Sequence, residues 1–579
     1  MSLLLRWIYK VRAQGFSRRL ESACRDPRGT QERFLREVLR KNRDTVFGKD
    51  HGFSEIQGPQ EYRARITMRD YEGFRPYITR LSAGERKVLT ADEPFMFATT
   101  SGTTDQPKLV PVTRTWKKHV TSLTSMWIAL AQRDHPDILR RRVITMVSPA
   151  IEGYTQSGMP IGAVSGFTAD RMPWILKRSY AVPYPVTLIE DYDLRYIVAM
   201  RMALQHRTSI IVTPNPSTLM RLGETGVREA ETIIRAIHDG TLGVSLKSDD
   251  GDQAELEQRL LSLVRPQPER ARFLEDVVKK HGALRPRHAW PDLALIGCWL
   301  GGSAGIQSSS LSDYYGDTPL RDIGFRATES TMTVPIQDNT AAGPLALNSG
   351  FYEFIHEDDI ELDDPPVRLA HELEDGHRYY ILLTTAGGLY RYDINDIVEV
   401  QGFYRNCPQL AFIRKGRDMA SITGEKIHAN QVLMAANTAS ESSGLVWTQV
   451  QVIPDVHRSR YDLLVEPKDP AASIELLQKF AIAMDTHLSK FNEEYSQKRK
   501  SRRLHLPRIH QMKQGWYERR WKADVISGGK RDSQYKWPLI GLQWDQEAQR
   551  EIDRVLEAET TEEFTGPLRL IDDLGMPRS

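Results

Sequence analysis

Short apolar runs alternate with helical patterns along the chain from about Pro94 onward. Four of these runs are candidate strands: RVITMV (142–147), TSIIVT (208–213), LALIGCWL (293–300) and LRDIGF (320–325). Continuous apolar runs are typical of strands buried on both faces, and strands that alternate with helices indicate a mainly parallel sheet. The pattern therefore predicts an α/β sheet covered by helices on both faces.

One amphipathic helix is well defined between the first two of these regions. From Trp116 to Leu130 apolar residues recur at spacings of four and three, and Thr113 or Thr115 can cap the N terminus. The first residues, MSLLLRWIYKVRAQGF, contain an apolar run that is broken by charges and is too short for a signal peptide. They are predicted to form a surface or docking helix.

The pattern changes in the last third of the chain. The stretch RYYILLTTAGGLYRYDINDIVEVQGFY (378–404) predicts two antiparallel strands joined at Ala386–Gly388. A polar, glycine-bearing segment follows, and then two strand-like runs, TQVQVIP and YDLLVEP, precede a helix capped by Ser473. These features predict a large domain over residues 1–413, a hinge over 414–427 and a small, mobile α+β domain over 428–579.

Composition excludes several classes of protein. The chain has 579 residues, of which 27% are charged and 40% hydrophobic, as expected for a folded protein with at least two domains. Its formal net charge of +2 gives no broad field for nucleic acid or an anionic membrane. The basic run QKRKSRR (497–503) lacks interleaved aromatic residues and is interpreted as a solvated helix end.

The cysteines and histidines indicate neither a disulfide framework nor a zinc site. Only three cysteines occur, at positions 24, 298 and 407, and their spacing is unpaired. The stretches HELEDGH and HLPRIH lack the spacing of zinc ligands in a metalloprotease. The few, unpaired cysteines predict a reducing, cytoplasmic location. No run reaches the length of a membrane span.

The candidate chemistry begins in the stretch ATTSGTTDQPKLVPVT (98–113). Hydroxyls and backbone N–H groups between Thr100 and Thr104 can donate to phosphate oxygens, and Lys108 adds a fixed positive charge. The sequence is not a Walker A motif, because the ending Gly-Lys-Ser/Thr is missing. On its own the stretch is equally compatible with a polar turn between strands.

Further stretches give this motif a family context: SPAIEGYTQSGMPIGAVSG (148–166), GFRATES (324–330), LYRYDINDIVEVQGF (389–403), KGRDMASITGEKI (415–427), HQMKQGWYER (510–519) and SQYKWPLI (533–540). Together they resemble the Gretchen Hagen three acyl acid amido synthetases, an auxin-responsive family of adenylate-forming enzymes related to acyl-CoA synthetases and luciferases. The resemblance implies a large N-terminal adenylate-forming domain with mixed sheets and a β-barrel-like part, followed by a small α+β domain.

The resemblance also implies roles for single residues. ATP would be held by its phosphates and by its ribose, and Mg²⁺ would be bound through ATP by Glu329. Asp396 would accept hydrogen bonds from the ribose hydroxyls, and Arg417 would approach the same sugar. The residues implied at the phosphates are Thr100, Ser101, Gly102, Thr103, Thr104 and Lys108.

Other implied contacts involve the neighbours of Glu329 and the C-terminal tail. Ala327 and Thr328 would line the nucleotide site beside Glu329. Gly302, within GGSAG (301–305), would bring backbone close to adenine, although the same glycines also suit a flexible connection. Lys536 corresponds to the family's C-terminal catalytic lysine, with Lys530 as the competing candidate.

Two departures from the family pattern bear on activity. Asp105 stands where the family usually has glycine, and its carboxylate would repel phosphate if it pointed inward. Asn395 replaces the glycine before Asp396, but asparagine tolerates the left-handed region.

The implied function is ATP-dependent adenylation of a carboxylic acid and transfer of the acyl group to an amine, with an amino acid as the implied acceptor. Lys108, Glu329 and Lys536 would be the catalytic residues. The alternatives are a ligase with a thiol acceptor such as CoA and, because of Asp105, a non-catalytic nucleotide-binding or interaction protein. The sequence leaves open the acid, the acceptor, the base for the amine and the oligomeric state.

Overall fold

The computed structural model describes residues 3–100, 108–246, 251–360, 362–416, 419–522, 537–541, 543–544, 546–558 and 568–571. These residues form two compact units. The first comprises the described residues up to Thr100 together with Lys108–Arg414, and the second begins at Lys415. The predicted domain limits and hinge stay predictions, and each unit is described by itself.

The α-helices of the described residues are α1 (Leu3–Arg25), α2 (Pro27–Asn42), α3 (Val46–Asp50), α4 (Pro59–Arg65), α5 (Tyr71–Ser82), α6 (Arg114–Asp134), α7 (Val164–Asp170), α8 (Trp174–Lys177), α9 (Tyr192–Leu204), α10 (Pro216–Arg228), α11 (Ala230–Asp239), α12 (Gly251–Leu261), α13 (Pro268–His281), α14 (Pro286–Ala289), α15 (Gly302–Ser308), α16 (Ser312–Tyr315), α17 (Ala429–Ser443), α18 (Ile474–Phe491), α19 (Glu493–Lys500), α20 (Trp516–Lys522) and α21 (Gln546–Arg550).

The strands of the described residues are β1 (Pro94–Thr100), β2 (Lys108–Thr113), β3 (Arg142–Ile144), β4 (Gly153–Tyr154), β5 (Pro160–Gly162), β6 (Thr208–Val212), β7 (Leu295–Gly297), β8 (Leu320–Arg321), β9 (Gly343–Pro344), β10 (Gly350–His356), β11 (Val367–Leu369), β12 (Arg378–Thr385), β13 (Tyr392–Tyr404), β14 (Cys407–Lys415), β15 (Met419–Ala420), β16 (Ile427–His428), β17 (Trp447–Asp455), β18 (Arg460–Pro467), β19 (Arg508–Met512), β20 (Ile552–Ala558) and β21 (Leu568–Ile571).

The four apolar runs form one parallel sheet, in the order β3-β6-β7-β8. Successive residues of its strands enter two different hydrophobic cores: Ile210 packs in one and Ile211 in the other. The prediction of an α/β sheet buried on both faces is confirmed. Helix α6 is also confirmed, with Thr113 as its cap, since the Thr113 hydroxyl accepts a hydrogen bond from the Trp116 amide.

A six-stranded sheet, β11-β10-β12-β13-β14-β9, corresponds to the predicted antiparallel region. Strands β12 and β13 pair antiparallel on either side of the predicted Ala386–Gly388 turn. A β-bulge interrupts their pairing, because Tyr380 lies opposite Ile397 while Leu382 lies opposite Asp393. Extra residues in one strand bend it locally, and such bends are common beside functional sites. The extra residues lie in β13, and the last of them is Asp396.

The N-terminal helices pack against this sheet. Gln31 of α2 donates to the carbonyls of Leu347 (2.8 Å) and Gly350 (2.7 Å) and accepts from the Tyr352 amide (2.8 Å). One amide side chain therefore satisfies three backbone groups at the start of β10. Phe16 of α1 is buried in the same core, whereas Arg12 and Arg18 on the same helix are exposed. Helix α1 is therefore an amphipathic helix that packs on the core with one face, as expected for a surface or docking helix.

A buried carboxylate joins α4 to two strands. Glu353 of β10 is 1% exposed and accepts from Nε of Arg63 in α4 at 2.9 Å and from Nε of Arg391 at 3.0 Å. Arg391 also donates to the Ile66 carbonyl at 2.7 Å. Two guanidinium groups offset the cost of burying this carboxylate, so the arginine of the LYRYD stretch is a structural residue.

The second unit has its own five-stranded sheet, β17-β18-β19-β20-β21. The predicted tail strands are β17 and β18, and the predicted helix is α18, capped by Ser473. The segment from β15 to β16 belongs firmly to this unit, since β15 pairs with β16 and buried Glu425 accepts from the amides of Ile422 (2.7 Å) and Thr423 (2.9 Å). The Tyr461 hydroxyl of β18 also donates to Glu425.

Candidate active site

The hydroxyl-rich stretch connects the two strands of a hairpin. Strands β1 and β2 pair antiparallel, and Thr100 lies opposite Lys108 in the last pair before the connection. Both termini of the connection are thereby fixed. Ser101, Gly102, Thr103, Thr104 and Asp105 lie outside the described residues, so their predicted phosphate contacts stay predictions.

Glu329 is buried at 6% exposure between two parts of the first unit. Its carbonyl accepts a hydrogen bond from the Trp116 indole of α6 at 2.8 Å. Its carboxylate accepts from the Tyr392 hydroxyl at 3.2 Å. The Glu329 side chain is thus anchored to β13, and its backbone to the helix that follows β2. The loop itself is tightened by a hydrogen bond from the Ala327 amide to the Ser330 carbonyl at 2.9 Å, and Thr328 lies between Ala327 and Glu329, half-buried.

The tyrosine partner of Glu329 is fully enclosed. Burial raises the pKa of the Tyr392 hydroxyl well above its usual value, and the negative charge of Glu329 raises it further. The hydroxyl therefore stays protonated and acts as a hydrogen-bond donor to the carboxylate at every physiological pH. Tyr392 lies in the quoted LYRYDIND stretch, but its contact with Glu329 spans 63 residues of sequence and was not predicted.

Asp396 is 2% exposed and lies four residues after Tyr392 on the same strand, within the bulge. The preceding Asn395 has a φ of 57°, in the left-handed region. The structure therefore needs a residue that tolerates this region at position 395, and asparagine does so at modest cost. The predicted tolerance of the Gly-to-Asn departure is confirmed for the backbone.

The glycines of GGSAG approach backbone closely. A Cβ at Gly301 would lie 2.7 Å from the carbonyl oxygen of Phe412, and one at Gly302 would lie 2.9 Å from that of Ile413. Gly302 also has a φ of 57° and begins α15. The two glycines therefore allow the backbone to pack closely against β14, which argues against the alternative of a flexible connection. Contact with adenine stays a prediction.

Asp322, a buried acid that the sequence analysis did not identify, connects two loops of this region by hydrogen bonds. Asp322 accepts from the amides of Leu300 (2.6 Å) and Gly324 (2.6 Å), and burial raises its pKa to about 7. It joins the segments that follow β7 and β8, which lead to Gly302 and to Glu329. Ligands of open α/β sheets bind at such carboxyl ends of strands. One feature of the sequence could have indicated this role: Asp322 is the single acid within the apolar run LRDIGF.

The described residues include the types of group that a nucleotide with a bound divalent cation requires, and their joint role in one site stays a prediction. Lys108, Glu329, Asp396 and Gly302 all belong to the first unit and provide a cation, two buried carboxylates and a glycine that lets backbone approach closely. No cluster of three or more His, Cys, Asp or Glu side chains that could hold a metal occurs in the described part of the chain. A single carboxylate nevertheless suits Mg²⁺, which takes much of its coordination from phosphates and water. Lys536, Lys530 and Arg417 lie outside the described residues.

Helices of membrane-spanning length and apolarity are absent from the described ranges. The predicted cytoplasmic location stays a prediction.

Comparisons with known proteins agree with the predicted resemblance. Three family models match in chain order: the GH3 family N-terminal domain (residues 16–320), central domain (343–415) and C-terminal domain (429–543). Indole-3-acetic acid-amido synthetase GH3.3 of Arabidopsis thaliana is 23% identical over 549 residues, which cover 90% of each chain. The 4-substituted benzoates-glutamate ligase GH3.12 of Arabidopsis thaliana is 24% identical over 452 residues, 74% of this chain and 76% of the relative.

A solved structure supports the fold. GH3.15 acyl acid amido synthetase has a TM-score of 0.61 with this chain at 19% identity, over 93% of this chain and 95% of its own. The predicted fold class, a large mixed α/β domain followed by a smaller one, is thereby confirmed, and the curated relatives are ligases that form amides. The first family model alone matches more than half of the 579 residues, and the chain belongs to the GH3 family of acyl acid amido synthetases.

Proposed function

We propose that this chain adenylates a small carboxylic acid with ATP and transfers the acyl group to the amine of an amino acid. The observation that carries the proposal is the setting of Glu329: a buried carboxylate held by Tyr392 and Trp116, in the same unit as Lys108 and Asp396. The relatives suggest the substrate classes, since they include an indole-3-acetic acid-amido synthetase and a 4-substituted benzoates-glutamate ligase.

In the first step the carboxylate oxygen of the acid would attack the α-phosphorus of ATP and pyrophosphate would leave. Because the nucleophile is already ionised, this step needs positioning and charge neutralisation rather than a general base. Lys108 and the hydroxyl-rich stretch from Thr100 to Thr104 would bind the phosphates, and Asp396 would orient the ribose. Mg²⁺, held through Glu329, would supply further charge neutralisation at the phosphate oxygens.

In the second step the deprotonated amine would attack the acyl carbonyl and AMP would leave. The family resemblance places Lys536 in the first step and the hinge between the two steps. Arg417, which lies outside the described residues, is implied by the resemblance at the same ribose.

The test is a screen of carboxylic acids, among them indole-3-acetic and 4-substituted benzoic acids, for acid-dependent exchange between pyrophosphate and ATP. Hydroxylamine in a parallel assay traps any adenylate as a hydroxamate, whatever the natural acceptor. We expect at least one acid to give exchange that Lys108→Met reduces by about 100-fold. The proposal is wrong if ATP binds but no acid gives exchange, the result expected if Asp105 has disabled the loop.

The acceptor is tested separately once an active acid is known. The twenty amino acids and CoA are offered in turn, and the release of AMP is measured. Amide formation with an amino acid supports the proposal, whereas product with CoA alone identifies a thiol ligase.

A further inference from the structure

Helix α5 lies outside every motif that carries the family resemblance, yet it contacts β2 directly. The Tyr71 hydroxyl accepts a hydrogen bond from the Leu109 amide at 2.7 Å and donates to the Leu109 carbonyl at 3.3 Å. Strand β2 is the edge of its sheet, so these are outward-facing groups that no neighbouring strand pairs. One phenol therefore fixes the backbone immediately after Lys108.

The same ring also orders the Lys108 side chain. The Lys108 ammonium nitrogen lies 5.4 Å from the centre of the Tyr71 ring, within the range of a cation–π interaction. Glu72 pairs with Arg75 through two hydrogen bonds of 2.6 and 2.8 Å. Arg75 lowers the pKa of Glu72 most strongly, and the charge of Lys108 lowers it further. The ammonium thus lies against an aromatic ring and within electrostatic range of an acid.

The other side of α5 contacts the strand that carries Asp396. The Asp393 amide donates to the Arg69 carbonyl at 2.8 Å, and the Arg69 amide donates to the Arg391 carbonyl at 3.2 Å. The Phe74 ring meets the Tyr392 ring edge-on, with 5.9 Å between their centres. Since Tyr392 holds Glu329, residues 69–74 connect the lysine side of the candidate site to its carboxylate side.

We infer that Tyr71 is a positioning residue for the nucleotide site, and that it acts by fixing Lys108 relative to Glu329. The inference rests on the proposed function. Tyr71 is not assigned any contact with the reacting atoms. Its hydroxyl constrains the strand from which Lys108 extends, so its loss weakens the hold on ATP phosphates while the core contacts of the ring persist.

Tyr71→Phe tests this directly, because it removes only the hydroxyl. We expect the dissociation constant for MgATP, measured by calorimetry without any acid substrate, to rise about fivefold, the effect of one lost hydrogen bond. Tyr77→Phe is the matched control: Tyr77 lies on the same helix, and its hydroxyl contacts Asp50 at 3.4 Å, away from β2. This control is expected to bind MgATP as the wild type does.

A double mutant distinguishes positioning from a general structural effect. If Tyr71 acts through Lys108, then Tyr71→Phe with Lys108→Met binds MgATP no more weakly than Lys108→Met alone. In pyrophosphate exchange, Tyr71→Phe should raise KM for ATP more than it lowers kcat. The melting temperature of each variant identifies any loss of folded protein.

Three results overturn the inference. Tyr71→Phe with unchanged MgATP affinity excludes the role of the hydroxyl, and additive effects in the double mutant exclude the route through Lys108. Wild-type protein that binds no MgATP refutes the proposed function together with this inference, a result distinct from the other two.

Discussion

Asp462 is a buried, ion-paired carboxylate of the second unit and offers a quantitative test of its packing. It is fully buried on β18 and accepts from Arg508 Nε at 2.8 Å, Arg508 Nη2 at 2.9 Å and the Trp544 indole at 2.7 Å. His510 Nε2 lies 3.3 Å from it. Burial alone would raise the pKa of Asp462, but the contacts with His510 and Arg508 outweigh burial and hold the pKa well below its usual value.

Asp462→Asn preserves the shape of the side chain but removes its charge. The Arg508 guanidinium, 1% exposed, would lose its two-point partner. Breaking a buried ion pair in this way costs about 3–5 kcal/mol of unfolding free energy. Asp553→Asn is the matched control. The Asp553 side chain is 42% exposed, and its carboxylate lies 3.6 Å from Nε of Arg554, a long distance for an ion pair. We expect that exposed pair to be worth less than about 1 kcal/mol.

The pH dependence has a definite sign. Because the folded-state pKa of Asp462 is depressed, its contribution is fully present above the unfolded pKa of about 3.9 and is lost as pH falls through the folded value. The stability difference between wild type and Asp462→Asn should therefore shrink as pH falls below about 4.

The assay is urea unfolding followed by tryptophan fluorescence, fitted with separate transitions for the two units. A loss below about 1 kcal/mol at pH 7, or a difference that stays constant down to pH 2, would refute the reasoning.

Three further predictions test single features. Asn395→Val forces a β-branched residue to a φ of 57° and should cost about 1–2 kcal/mol, whereas Asn395→Gly should be nearly neutral; thermal unfolding compares them. Gly302→Ala adds a Cβ 2.9 Å from the Ile413 carbonyl oxygen at a positive φ, and it should cost about 1–3 kcal/mol in the same assay. Lys536→Met should reduce pyrophosphate exchange about 100-fold and Lys530→Met should not; the reverse result would assign the role to Lys530.

Much of the fold could be predicted from local patterns. The four strands of the parallel sheet appear as continuous apolar runs because both of their faces are buried, as Ile210 and Ile211 illustrate. Helix α6 was predictable because its spacing and its Thr113 cap agree. Position 395 was also understood in advance, since the reason for a glycine there is the backbone conformation, which asparagine shares.

The features that were missed depend on contacts distant in sequence. Tyr71 meets Leu109 across 38 residues and Tyr392 meets Glu329 across 63, and neither pair leaves a periodic pattern. The candidate site was predicted through its motifs, whereas the residues that hold those motifs in place were visible only in the structure.

The contact between Gln31 and β10 bears on how the chain folds during synthesis. The Tyr352 amide that pairs with Gln31 is translated 321 residues later. At ribosomal rates of about 5–20 residues per second, α2 waits on the order of half a minute for its partner strand. During that time its apolar face is exposed on the nascent chain, and this places a demand on chaperones from the first helices onward.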